Sequence, residues 1–309
     1  MGVLYIVSAE EFAGKTAVCA GIAINLLNQG KNVGYLRPQT DGKKSDGDIA
    51  FMKQSLGLED VVNAPDLIKG RDIVLVESRI GPKVSDAKNV LGAVKEMKAR
   101  VIAVEAYTGQ DSKYIDIYKW FSDSLLGVVL NKVPASQLKG VKEKAAAKFG
   151  AAGIKVLGVI PENRVILAIT IGELADIIKG KILNNPEKSG ELVENYMLGA
   201  MVVGSGVDYF VRKSNKAAII HQDRPDMQLA ALETPTKCLV LSGSSQPPIY
   251  NIIQKAGSRG VPVIATDAST AEIIAGIEEA LHKSRLHQQK KLSGLGELIK
   301  QNLDIKAVV

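Results

Sequence analysis

The sequence predicts an α/β protein in which a domain with a mainly parallel sheet precedes a smaller α/β domain. Three observations predict it. Short apolar runs rich in Val, Ile and Leu alternate with stretches of helical periodicity along the 309-residue chain. Aromatic residues are 5% against 46% hydrophobic, so the core is aliphatic, as in parallel strands covered on both faces. A polar stretch with a proline, LNNPEKSG (183–190), separates two series of alternations and reads as a linker. The expected domains are therefore 1–184 and 190–309, the second ending in a C-terminal helix.

In the first series, VLYIVS (3–8) reads as a buried strand, and TAVCAGIAINLLNQG has apolar residues at helical spacing up to Gly30, a helix-ending residue. NVGYLRP (32–38) is a second strand closed by Pro38. DIAFMKQSLGL (48–58) reads as a helix with Asp48 near its N-cap. RDIVLVES (71–78), RVIAVEAYT (100–108), LLGVVLNKVP (125–134) and KVLGVIP (155–161) are further strands, with helical stretches such as 137–150 between them. Right-handed crossovers then make the sheet parallel. Thr170-x-x-Glu173 is a capping box opening a helix over 170–183.

In the second series, KAAIIHQD, KCLVLSGS and VPVIATD read as strands, and PDMQLAALET, PIYNIIQKAGSRG and ASTAEIIAGIEEALH as helices, the last with a Ser269-x-x-Glu272 box. Residues 284–303 carry Leu292, Leu295, Leu298, Ile299 and Leu303 at helical spacing, a terminal helix that packs on its own domain or on a partner.

The stretch most informative about chemistry is SAEEFAGKTA (8–17), close to the phosphate-binding pattern G-x-x-x-x-G-K-[ST]. It lies between a strand and a helix, where such a loop must be. Gly14 lets the backbone approach phosphates, and the helix start at Ala13, Gly14, Lys15, Thr16 and Ala17 offers free N–H groups. Lys15 reaches the outer phosphates and Thr16 can hold Mg²⁺. The departures are Ala9 in place of the leading glycine and two glutamates, Glu10 and Glu11, whose charge repels a polyphosphate unless the side chains point away. Thr16, Asp48 and Glu77 are the candidate metal ligands. Asp48 or its neighbour Asp46 could equally be an acid on a solvated loop, and Glu77 ends an apolar strand where ligands of open α/β sheets bind. Asn131, ending VVLN, either reads a purine edge with its amide or closes the strand as a turn residue.

Composition excludes other classes. The net charge of +6 is spread over scattered lysines without interleaved aromatics, which does not support nucleic-acid binding. Cys19 and Cys238 lie in apolar runs and read as core residues. No signal peptide and no membrane-length apolar run are seen, so a cytoplasmic protein is expected.

Together, the GKT loop, YLRP (35–38), Asp48, VLVES (74–78), VLNKVP (129–134) and VLGVIPENRVILAITIGELA (156–175) resemble the dethiobiotin-synthetase-like ATP-binding fold over residues 1–183. The last run resembles the N-terminal portion of long bacterial phosphate acetyltransferases. GAMVVGSGVDYF (199–210) and IIHQDRPDMQLAAL (219–232) resemble the DRTGG domain that follows in those enzymes. The resemblance implies a P-loop NTPase-type parallel-sheet domain followed by a smaller α/β DRTGG-like domain, with ATP and Mg²⁺ as cofactors and a homodimer as the assembly. ATP is favoured by the resemblance, and Asn131-Lys132 alone does not exclude GTP.

Departures from the family set the functional expectation. Arg37 stands where dethiobiotin synthetases have the lysine of a K-P motif, and ESRIG replaces their glycine-rich loop, so that synthesis is not expected. Glu10 stands where cell-division-site-selection ATPases carry a signature lysine, so that branch is set aside. The acetyltransferase catalytic domain is not part of this sequence, and acetyl transfer is not expected of it. Asp223, Arg224 and Asp226 are retained from the DRTGG pattern as a ligand or dimer contact, or as a helix cap with a surface arginine. Three functions remain. The first is an ATP-binding regulator or sensor that reports to a protein partner through the DRTGG domain. The second is a ligase-type enzyme in which Lys15, Arg37 and Arg79 stabilise a transferred phosphoryl group on a carboxylate or carbamate. The third is a structural dimer with a non-binding loop.

Overall fold

The apolar runs of the first series form one six-stranded sheet in the computed structural model, which describes residues 2–38, 47–58, 70–81, 83–200, 203–282, 286 and 288–308. β1 (Gly2–Ser8) is followed by α1 (Lys15–Leu27), β2 (Val33–Leu36), α2 (Gly47–Leu56), β3 (Ile73–Arg79), α3 (Val84–Glu96), β4 (Arg100–Ala106), α4 (Ile115–Lys119), β5 (Leu125–Val133), α5 (Leu138–Ala151) and β6 (Val156–Pro161). The order is β2-β3-β1-β4-β5-β6 and every pairing is parallel. From β1 the chain goes out to the edge strand β2, returns with β3 between the two, then crosses to the other side of β1 with β4. Connections diverge around β1, and such a switch point leaves a crevice at the strands' carboxyl ends. On one face Val7, Val76, Val101 and Val128 pack with Tyr118, Phe121 and Phe149. On the other, α1 buries Ile22 and Leu26.

The second series contains α6 (Arg164–Leu167), β7 (Ile169–Thr170), α7 (Ile171–Ile177), β8 (Lys181–Ile182), β9 (Leu192–Val193), β10 (Asn195–Leu198), α8 (Gly206–Phe210), β11 (Lys216–His221), α9 (Pro225–Leu232), β12 (Thr236–Ser242), α10 (Tyr250–Ser258), β13 (Val263–Ala265) and α11 (Thr270–His282). Its five-stranded sheet runs β10-β11-β12-β13-β8, parallel except for β8. Both capping boxes are formed: Thr170 and Glu173 bond reciprocally, as do Ser269 and Glu272. Both cysteines are buried core residues. Among the described residues no helix is long and apolar enough to cross a membrane.

The chain divides into compact units at 163/164, with 285–309 joining the first unit, rather than at 184–190. The reason is specific contacts. Leu174 and Ala175 of α7 share a core with Ile219, Val240 and Ile264. The polar stretch 183–190 is stitched into the same unit: Asn184 accepts from Val263 N at 2.7 Å and donates to Val261 O at 3.0 Å. Helix α7 ends at Ile177, and 181–182 is strand rather than the helix expected to 183. The tail forms α12 (Gln289–Leu292) and α13 (Leu295–Asn302), separated near Gly294, whose φ is 77°. α13 packs on α1 so closely that a Cβ on Gly21 would stand 2.2 Å from Ile299 Cγ1, and Asn25 donates to Gly296 O at 2.7 Å.

Lys216 opens β11 and is fully buried, with its Nζ donating to Thr234 Oγ1 at 2.9 Å and to Pro235 O at 3.0 Å. Burial pushes its pKa down to about 8. The unfolded chain therefore binds more protons than the folded one between this value and the ordinary lysine value, and stability rises with pH across that window. Relative to Lys216→Met, the parent is expected to gain roughly 2 kcal/mol of unfolding free energy from pH ~8 to ~10. Urea denaturation of both proteins at each pH measures it; a pH-independent difference would mean the ammonium is solvated.

Candidate nucleotide site

β1 stops at Ser8 because the chain turns there on a side chain. Ser8 Oγ accepts from Glu10 N at 3.1 Å and donates to Glu10 O at 3.0 Å. The left-handed positions of the loop are Phe12 (φ 54°) and Gly14 (φ 86°), and Ala9 is not among them. Replacing the leading glycine by Ala9 therefore costs no backbone strain, and its side chain is simply buried.

The two glutamates are both occupied. Glu10 accepts from Ala106 N, at the end of β4, at 2.6 Å. Glu11 pairs with Arg79 at the surface. Arg79, in the ESRIG segment, continues β3 alongside the end of β1: the pairing runs to Ser8–Arg79, and Ile80 N bonds Ser8 O at 3.0 Å.

Gly14 is the N-cap of α1, with no side-chain cap and no acid in the first turn. The opening N–H groups of the helix are left for an anion. A Cβ on Gly14 would lie 2.2 Å from Asn131 Nδ2, so the glycine is required by contact as well as by φ. Asn131 donates that amide to Ala13 O at 2.9 Å and is buried. Its Nδ2 thus braces the loop, a role the sequence reading did not weigh. Lys132 beside it has φ 60°, and its Cε would be 4.0 Å from the same Cβ. Burial lowers its pKa, with Glu10 and Glu162 opposing.

Glu77 gathers the charged groups. Its carboxylate is 2% exposed. Thr16 Oγ1 donates to Oε1 at 2.9 Å, and Tyr35 OH donates to Oε2 at 2.9 Å. Arg37 Nη1 is 3.9 Å from Oε1. Lys15 is part of the same field: burial lowers its pKa, Glu77 raises it, and Arg37 and Arg79 lower it further. A partly buried lysine in the field of a carboxylate and two guanidiniums gains by meeting a polyanion. Tyr35 was missed in the sequence. Its signal was period two: Tyr35 and Arg37 lie on one side of the chain leaving β2, beside the β3 strand that carries Glu77. Burial, then Glu77, raises its phenol pKa, so it stays a donor.

Thr16 Oγ1 and Glu77 Oε1 are adjacent hard oxygen donors, chemistry that suits Mg²⁺ together with phosphate oxygens. Asp48, the other metal candidate, falls in the first turn of α2, and its side chain lies outside the described residues, as does Asp46. In the second unit, Asp223, Arg224 and Asp226 form a local motif. Arg224 donates from Nε and Nη2 to the Asp226 carboxylate at 3.0 and 2.8 Å, just before Pro225 opens α9. Asp223 N bonds His221 Nδ1 at 3.2 Å while its side chain faces solvent.

Among solved structures, the chain is similar to the CBS and DRTGG domains of the regulatory region of Clostridium perfringens pyrophosphatase, at 16% identity over 52% of this chain and 75% of that one, TM-score 0.34. It is similar to a chain of the MinC:MinD cell division complex of Aquifex aeolicus, at 16% identity over 54% and 84%, TM-score 0.40. A third likeness, to cell division protein FtsY of Thermotoga maritima, has 18% identity over 52% of this chain and 62% of that one, TM-score 0.38. At these scores the likenesses carry no functional argument. Residues 173–280 match the family model of the DRTGG domain, and the chain has a mixed α/β fold with a six-stranded parallel sheet in its first unit.

Proposed function

We propose that the protein is an ATP- and Mg²⁺-binding regulator or sensor. In this reading the phosphates lie on the N-terminus of α1, and nucleotide state is passed to a protein partner through the DRTGG domain. The observation that carries it is the Thr16–Glu77 hydrogen bond at the start of a helix whose partly buried Lys15 lies in the field of the same carboxylate. Engagement of Glu10 and Glu11 elsewhere removes much of the like-charge objection to a polyphosphate. Thr16 and Glu77 would hold Mg²⁺, which would neutralise phosphate charge; Lys15 would bind the outer phosphates and Arg37 would add positive field beside them. The sequence resemblance to the N-terminal half of long phosphate acetyltransferases, and a homodimeric assembly, belong to this proposal.

Calorimetric titration of ATP and GTP with Mg²⁺ tests it. The expected result is ATP binding that Lys15→Ala weakens by about 100-fold or more, the scale of a lost charge-assisted phosphate contact. Absence of heat with either nucleotide at millimolar concentration would mean that the loop is structural only. If ATP binds, turnover that depends on an added carboxylic acid would replace the sensor by the ligase-type enzyme.

A further inference from the structure

On the sheet face opposite α1, a cavity of about 140 Å³ lies between the end of β4, the segment after it and α5. Its size is that of a ligand of several heavy atoms, comparable to cavities that admit benzene. Its lining is sorted by chemistry. Leu130, Val141 and Phe149 make an apolar wall. Glu105 lines it from the sheet, 7% exposed, and accepts from Ser112 Oγ at 2.7 Å. Lys144 and Lys148, one helical turn apart on α5, line it on the solvent-facing side, and Lys148 pairs with the exposed Asp111.

We propose that this cavity binds a small zwitterion, an aliphatic amino acid or ω-amino acid, with its ammonium against Glu105 and its carboxylate toward Lys144 and Lys148. The inference does not depend on nucleotide binding. A buried carboxyl selects a cation or a hydrogen-bond donor, since a second anion there would add repulsion to desolvation. Two lysines near the opening select an anion. With Glu105 ionised, two acids and two lysines leave the lining balanced, so a ligand with one charge of each sign preserves neutrality where a simple amine or acid does not. The apolar wall takes a short aliphatic chain. The carboxyl is poorly solvated at the cavity wall: burial pushes Glu105 up to about 7, Ser112 and Lys148 oppose, and Glu10 adds to the rise. The buried Tyr118 hydroxyl also faces it. An ammonium beside Glu105 would draw the carboxyl back to its ionised form.

The test is calorimetry and thermal shift on the full chain with four probes: L-valine, γ-aminobutyrate, isobutylamine and isobutyrate. One of the two zwitterions is expected to bind, with the single-charge compounds at least about tenfold weaker. Glu105→Gln, which keeps shape and removes the charge, is expected to weaken the zwitterion by about tenfold or more. Lys148→Met, at a half-exposed position that does not threaten folding, is expected to weaken the zwitterion while leaving isobutylamine unchanged. Far-UV circular dichroism checks that both variants fold. No binding of either zwitterion at millimolar concentration, isobutyrate or isobutylamine binding as tightly as the zwitterion, or a Glu105→Gln variant that binds like the parent would each overturn the proposal.

Discussion

Glu77→Ala is expected to destabilise the protein by about 3 kcal/mol and to abolish the Mg²⁺ dependence of nucleotide binding. Both effects follow from one carboxylate having four neighbours. Removal leaves the Tyr35 hydroxyl buried without its acceptor and Thr16 without its partner. It also takes a neighbouring negative charge from Arg37, 3.9 Å away, and from the partly buried Lys15. The larger part of the cost is the buried Tyr35 hydroxyl, whose desolvation is no longer offset by a hydrogen bond. Glu77→Gln separates the two effects. The amide keeps the shape and one acceptor, so stability falls by less, about 1–2 kcal/mol, while its NH₂ meets a donor on the other side and cannot hold a cation. Urea denaturation gives the first number, and ATP titration with Mg²⁺ and with EDTA gives the second. A Gln variant that still binds ATP more tightly with Mg²⁺ would remove Glu77 from the metal site and leave it a structural acceptor.

The parts of this picture that were legible in the sequence are those carried by short-range pattern. Strand, loop and helix around GKT follow one another within twenty-odd residues, and each is set by its own residues: an apolar run, a left-handed glycine, a helical spacing. Glu77 was legible for the same reason, as an acid ending an apolar run. What failed depended on distant contacts. The stretch 183–190 has linker composition, yet Asn184 substitutes for a strand residue by bonding Val261 and Val263, nearly eighty positions away. The tail shows its periodicity but not its partner, because glycines at 21 and 296, which permit the close approach of α1 and α13, have no local signature of their own. Arg224 and Asp226, read in the sequence as a ligand or dimer contact or as a helix cap with a surface arginine, pair with each other at the start of α9, and that pairing decides between none of these readings. Glu10 looked like an obstacle because the sequence does not say which way it points, and a single backbone N–H at Ala106 decides that.

The loop itself is expected to fail when Gly14 acquires a side chain, and the way it fails distinguishes strain from contact. In Gly14→Ala a residue with a Cβ must hold φ near 86°, which costs about 1–2 kcal/mol. The new methyl must also displace the Asn131 amide, whose Nδ2 would stand 2.2 Å from it. Displacing that amide takes the donor from Ala13 O, so the chain entering α1 loses its brace just where phosphates would lie. Nucleotide affinity is expected to fall by about 100-fold for Gly14→Ala, and Asn131→Ala alone, which removes only the brace, is expected to cost about 1 kcal/mol of stability. The double variant carries the decision. If the clash is what matters, removing the Asn131 side chain relieves it, and the two stability losses combine to at least about 1 kcal/mol less than their sum. If the losses simply add, the loop relaxes away from Asn131 in the single variant and the damage is backbone strain alone. In that case Asn131 does not brace the loop, and its amide is released for the purine edge that the sequence first suggested.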